Sequence, residues 1–349
     1  MKLAAIVLAT LAAGCGDRDM GSDAGSDSGG DAASGLGSVD LAGMGDADGG
    51  ATAGQWITGT FSNDQGQRDY RLYVPSGYRP GTPLPLVVML HGCTVTAEQM
   101  DATTQYAALA EARTFLVVYP VQSSAANPAL CWNWFETADL ARGAGEPSLI
   151  AGITQTVMDG WSVDSRRVYV IGASAGGAMS VIMGATYPDR YAAIGVVAGC
   201  EYAGAPCGPS GGPDPTAQGQ LAYQAMGTSA RSVPVIVFHG DADPVAAPIN
   251  GQQVTEQWIA ADDWADNGAH DGSVPTTATS TATLQVPNGR SYDRTQFDDA
   301  SGALLIDYYV VHGAGHAWPG GPASATFTDP TGPDATGISY DFFLAHVHP

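Results

Sequence analysis

Apolar and polar positions change rhythm repeatedly along the chain, and each change marks an element. Trp56 to Phe61 and Tyr70 to Val74 alternate apolar and polar, which predicts an antiparallel hairpin at a sheet edge. Pro85 to Leu90 and Phe115 to Tyr119 are continuous apolar runs, as in strands buried on both faces. Ala97 to Ala112 and Ile150 to Trp161 have helical patterns. Arg167 to Ile171 is a further run of β-formers, and Ala178 to Tyr187 an apolar segment of helical composition. Ala192 to Val197 and Val233 to Phe238 predict buried strands, separated by a Gly/Pro/Ser loop and a helix near Leu221. Gln252 to Trp264 is helical, Thr281 to Val286, Ser291 to Phe297 and Leu304 to Val311 are strand-like, and Ile338 to His346 closes with a helix. Strands alternating with helices predict an α/β fold whose mostly parallel sheet carries helices on both faces.

Before Trp56 the rhythm is absent. Lys2 precedes an apolar stretch, Leu3 to Ala13, shorter than the roughly 20 residues of a transmembrane helix, so residues 1–15 read as a signal peptide. Leu11-Ala12-Ala13-Gly14-Cys15 is similar to a bacterial lipobox, which would place a lipid on Cys15. The leucine sits one place early for the commonest pattern, and secretion with cleavage near Ala13 is the alternative. Residues 16–54 are Asp/Gly/Ser-rich, with eight aspartates against Arg18. Such a segment buries too little apolar surface to order itself. It reads as a disordered tether between a membrane and a domain at 55–349.

The charge narrows the partners. Lysine plus arginine number 13 against 35 acidic residues, a formal net charge of −22, with Lys2 the only lysine. So acidic a chain is not expected to bind nucleic acid, and its expected membrane contact is through the lipid at Cys15 alone. Neutral or weakly charged substrates fit better. With Cys15 set aside, Cys93, Cys131, Cys200 and Cys207 remain, which in an exported protein read as two disulfides. Three pairings are formally possible; Cys200 and Cys207 suit a local staple, leaving Cys93 with Cys131. No Cys-x-x-Cys spacing points to a metal.

The chemistry gathers around Gly172-Ala173-Ser174-Ala175-Gly176, a Gly-x-Ser-x-Gly pentapeptide between a strand and a helix. That context is what a nucleophile elbow requires. Gly208-Pro209-Ser210-Gly211-Gly212 fits the same pattern but has no strand before it. A serine hydroxyl needs a base to take its proton and an acid to orient that base. The strand Val233 to Phe238 runs into His239-Gly240-Asp241-Ala242-Asp243, where Asp243 is the expected acid and Asp241 the fallback. Beyond Leu304 to Val311, His312-Gly313-Ala314-Gly315-His316 offers His316 as the base, with His312 its rival. The amides of Ala175, next to the nucleophile, and of Cys93, after the strand Pro85 to Leu90, are the expected oxyanion donors. Trp132 and Trp134, in the Cys131-Trp132-Asn133-Trp134-Phe135 loop, and Trp318 are expected to wall the substrate site, with ordinary core packing the rival reading for the loop aromatics.

Leu90-His91-Gly92-Cys93-Thr94, the Cys131 to Phe135 loop, Gly172 to Met179, His239 to Asp243, and Gly315-His316-Ala317-Trp318-Pro319-Gly320-Gly321 together resemble the polyhydroxybutyrate-depolymerase-like esterases, which include feruloyl and acetylxylan esterases. The resemblance runs from about Thr58 to the C-terminus. It implies an α/β-hydrolase fold, no cofactor, and a triad on Ser174, Asp243 and His316. Only residues 317–349 follow His316, so the extra C-terminal binding domain of depolymerases acting on crystalline polyester is not expected, and soluble oligoesters or acylated polysaccharide are favoured. The expectation is an exported or lipid-anchored serine carboxylesterase. A prolyl-oligopeptidase-like peptidase and a non-catalytic surface binder of glycan or polyester are the other readings.

Overall fold

The computed structural model describes residues 54–204 and 207–349. The expected signal peptide, Cys15 and nearly all of the tether lie outside the described residues. Strands β1 (Gln55–Asn63) and β2 (Gly66–Val74) form the edge hairpin. They lead to β3 (Leu84–Leu90), α1 (Ala97–Thr104), α2 (Tyr106–Arg113), β4 (Leu116–Val121), α3 (Gly145–Gly160) and β5 (Val163–Ala173). Next come α4 (Ala175–Thr186), β6 (Ala193–Val197), α5 (Pro215–Met226), β7 (Val235–Gly240) and α6 (Ile249–Asn267). The chain closes with β8 (Ser280–Gln285), β9 (Ser291–Asp298), β10 (Leu304–Val311), the short β11 (Trp318–Pro319) and β12 (Thr328–Asp329), and α7 (Ala335–Ala345).

Among the described residues ten strands form one sheet in the order β1-β2-β4-β3-β5-β6-β7-β10-β9-β8. The six from β4 to β10 are mutually parallel, and the outer strands on both sides pair antiparallel. Alternation along β3 explains its unbroken apolar run. Leu86, Val88 and Leu90 pack with α3, α4 and α6 on one face, while Val87 and Met89 pack with α1, α2 and α7 on the other. This is the doubly covered α/β arrangement that the residue pattern predicts, as in the α/β-hydrolase fold that the resemblance implies.

One expected helix is two. The Ala97 to Ala112 pattern breaks at Gln105, which adopts left-handed φ 56. Asp101 accounts for the break: its Oδ1 accepts the Ala107 N–H (3.0 Å) and the Tyr119 hydroxyl (2.6 Å). A carboxylate that caps the start of a second helix competes with continuation of the first.

Candidate active site

Strand β5 ends at Ala173 and α4 begins at Ala175, so Ser174 alone makes the corner. It sits at φ 57 and ψ −122, a region that costs a non-glycine residue about 1–3 kcal/mol. Its neighbours hold it there: Ser174 N–H donates to the Val197 carbonyl (2.8 Å), and its own carbonyl accepts from Ala178 N–H (3.0 Å). The flanking glycines leave no alternative. A Cβ on Gly172 would lie 2.3 Å from the Gly176 carbonyl oxygen, and one on Gly176 would lie 2.2 Å from that of Leu90. Ser210, by contrast, is exposed in a loop before α5.

Parallel pairing of β7 with β10 sets Gly240 beside Val311, so the loops leaving both strands run together. They are laced by Asp241 N–H to the Val311 carbonyl (3.1 Å) and Ala242 N–H to the Ala314 carbonyl (3.0 Å). Asp243 is buried within them. Its Oδ1 accepts the Val245 and Ala246 amides (2.8 and 3.0 Å), and its Oδ2 lies 2.7 Å from His316 Nδ1. A hydrogen bond at Nδ1 leaves the His316 Nε2 lone pair for the pocket that His316 shares with Ser174. Burial pushes the Asp243 carboxyl up, but the His316 hydrogen bond and charge, the Val245 amide and His239 outweigh it and leave the group below its ordinary value. Among the described residues Ser174 and His316 share no hydrogen bond, although both line the one pocket.

The two rivals also pair, but elsewhere. His312 Nδ1 lies 2.9 Å from Asp241 Oδ2, both groups part-exposed, and neither lines the pocket.

Cys93 lies in the pocket wall, and its N–H donates to no group among the described residues. Ala175 is the first residue of α4, where helix N–H groups lack intrahelical acceptors. The Cys93 loop is braced from several sides. Cys93 is disulfide-bonded to Cys131, as Cys200 is to Cys207. His91 Nδ1–H donates to the Gly92 carbonyl (2.8 Å), and its Nε2 accepts the Gln122 amide (3.0 Å). Burial pushes the His91 imidazole below its ordinary value, which suits a ring that donates at one nitrogen and accepts at the other. Gln122 also donates to the Cys131 carbonyl (2.7 Å) and to Glu146, which itself accepts from the Asn133 amide and Arg68. Gln122 and Glu146 carry no motif, and nothing in the sequence marks them.

The aromatic wall differs from the expectation. Trp132 is fully buried, packs 5.4 Å from the His91 ring and does not line the pocket, because its loop is folded inward by the disulfide and Gln122. Trp134 is half-buried against Phe135 and also lies outside the lining. Trp318 does form the wall, fixed by its Nε1–H to Thr336 Oγ1 (2.9 Å). Phe327, which no motif contains, stands at the rim. Among the described residues no group of three or more His, Cys, Asp or Glu is placed to hold a metal ion, and no helix is long and apolar enough to cross a membrane.

The family profile described as "Esterase PHB depolymerase" matches residues 68–277, a span that includes Ser174 and Asp243 and ends before His316. Poly(3-hydroxyalkanoate) depolymerase C of Paucimonas lemoignei is 33% identical over 276 residues, 76% of this chain and 62% of that protein. Acetylxylan esterase A of Talaromyces purpureogenus is 31% identical over 226 residues, 59% of this chain and 57% of that protein. The chain thus spans about three-fifths of the length of these relatives. The structure of an acetyl xylan esterase from Aspergillus awamori superposes with a TM-score of 0.67 at 22% identity, covering 84% of this chain and 100% of the other, a likeness of fold. With the profile matching more than half of its residues, the chain belongs to the PHB depolymerase esterase family.

Proposed function

We propose that this protein is an exported serine carboxylesterase in which Ser174 is the nucleophile, His316 the general base and acid, and Asp243 the group that orients His316. The observation that carries the reading is a buried Asp243 bonded to His316 Nδ1, with His316 and the strained Ser174 facing one apolar pocket. Ser174 Oγ attacks the ester carbonyl while His316 Nε2 takes its proton. The carbonyl oxygen becomes negative, and the N–H groups of Cys93 and Ala175 stabilise it; losing one such donor typically costs about 10²–10³ in rate. Collapse breaks the ester C–O bond, and the alcohol leaves with the proton from His316. Water, deprotonated by the same imidazole, then attacks the acyl-enzyme and releases the acid. Every step uses residues of this chain, without a cofactor.

The relatives bear the names of a poly(3-hydroxyalkanoate) depolymerase and an acetylxylan esterase, which favours short-acyl esters, oligoesters or acylated polysaccharide as substrates. The test is hydrolysis of p-nitrophenyl acetate by Ser174→Ala. Activity should fall to the uncatalysed background with thermal unfolding unchanged, and wild-type turnover in that variant would end the proposal. Fluorophosphonate labelling of Ser174 separates the enzyme from a non-catalytic binder, and an ester-against-peptide panel separates it from a peptidase. Export on a lipid anchor is part of the same proposal, and Cys15→Ser should release the protein from membranes.

A further inference from the structure

The pocket beside Ser174 has a cavity volume of about 60 Å³. Its walls are Val95, Met100, Val197, Ala317 and Trp318, with no charged group other than His316 when protonated. At roughly 10–15 Å³ for each water-sized occupant, it holds a handful of heavy atoms. That suits an acetyl or butyryl chain better than a hydroxycinnamoyl ring. The acyl chain is the part of the substrate that must enter it, because the leaving alcohol has to reach His316 Nε2 and depart to solvent.

Phe327 stands at the mouth, 53% exposed and the most exposed large apolar residue among those described. Its backbone lies at φ 56, left-handed for a residue with a Cβ, which persists only where the surroundings over-determine it. They do so here. Trp318 N–H donates to the Phe327 carbonyl (2.7 Å), Thr103 Oγ1 donates to the carbonyl of Thr326 (2.9 Å), and Thr328 Oγ1 bonds back to the Pro322 carbonyl (2.9 Å). A ring that lines the pocket mouth yet stays more than half exposed, on a strained backbone pinned at both sides, leaves much of its apolar surface uncovered in the free protein. It gains by covering apolar surface of something that enters the pocket.

We propose that Phe327 is a specificity-determining residue whose ring closes the acyl end of the pocket and restricts the enzyme to short aliphatic acyl groups. The inference rests on Ser174 being the nucleophile. It is tested by kcat/KM for p-nitrophenyl acetate, butyrate and octanoate and for methyl ferulate. The wild type should favour acetate and butyrate and fall at least about tenfold on octanoate, whose longer chain meets the Phe327 ring, whereas each methylene buried once the ring is removed gains up to roughly fourfold. Phe327→Ala should raise the octanoate-to-acetate ratio of kcat/KM at least about tenfold, through KM. Phe327→Leu, which keeps an apolar stopper, should retain the wild-type ratio. Should the alanine variant fail to fold, Phe327→Gly, at ease at positive φ, carries the same test. An unchanged ratio in a folded variant, an equal fall on all esters, or a wild type that takes octanoate or ferulate as readily as acetate overturns the inference. Failure of the wild type on every ester, without labelling of Ser174, instead overturns the esterase reading beneath it.

Discussion

Replacing Asp243 by asparagine separates the proposed mechanism from its near neighbours. The carboxylate makes three hydrogen bonds: Oδ1 accepts the Val245 and Ala246 amides, and Oδ2 accepts from His316 Nδ1. An asparagine whose oxygen keeps the two amides turns its NH₂ toward His316. Two donors then face each other, and the imidazole answers by moving its proton to Nε2, where it can no longer deprotonate Ser174. The same change in a serine protease triad costs about 10⁴ in kcat, so a loss of about 10³–10⁴ is expected, or roughly 4–5.5 kcal/mol of transition-state stabilisation. Stability should change less, because the amide bonds survive and one charge-assisted bond of about 1.5–3 kcal/mol is lost. The pH dependence follows from the depressed carboxyl: its stabilisation is full above about pH 4, the unfolded value, and is lost as pH falls through the lower folded value. Asp243→Asn should remove that acid-side loss. The assay is kcat on p-nitrophenyl acetate beside thermal unfolding, with Asp241→Asn as the comparison. Asp241 meets only His312 and the Gly313 amide at the surface, so its variant should stay within about threefold of wild type. A loss below tenfold in Asp243→Asn, or a larger loss in Asp241→Asn, would refute the assignment.

Two further outcomes follow from the groups around the site. The Cys93–Cys131 bridge spans a sequence separation of 38, for which chain entropy gives about 4 kcal/mol of stabilisation. The double variant Cys93→Ala/Cys131→Ala should therefore melt roughly 5–8 °C lower by calorimetry and lose kcat as the Cys93 amide loosens; an unshifted melting point would deny the bridge its bracing role. Glu201 is buried with neither carboxylate oxygen hydrogen-bonded among the described residues, and burial first, then the charges of Asp214 and Glu256, pushes it up to about 7. A carboxyl raised above its unfolded value stabilises fully below about pH 4.3 and loses that contribution as pH climbs through its folded value. Tm should decline between about pH 5 and 7.5, and Glu201→Gln should flatten the decline; parallel Tm–pH curves for the two proteins would contradict this.

The order of elements was legible because the parallel strands are buried on both faces and most helices on one, α4 being buried all round, so strands and helices differ in how their apolar residues are spaced. The elbow was legible too, since its two glycines answer to contacts with backbone a few residues away or on the adjacent strand β3. Which acid meets which base was legible as a preference for Asp243 and His316, with Asp241 and His312 left as alternatives. Asp241 and Asp243 lie two residues apart on one loop, and His312 and His316 four apart on another, so local sequence offers two matched pairs. The register of β7 against β10, with Gly240 beside Val311, lays the loops side by side, and burial then divides the pairs. Asp243 and His316 turn inward toward Ser174, while Asp241 and His312 stay in water. The same limit hid Phe327. Its ring lines the pocket mouth because β11 pairs with β12 and Thr103 ties the loop to α1, the second a contact between residues more than two hundred apart that leaves no period in the chain. Local chemistry thus settled the elements and the corner that exposes Ser174. Long-range pairing alone decided what that corner faces, because a side chain's neighbours across a sheet depend on register, and register is a property of the whole folded layer.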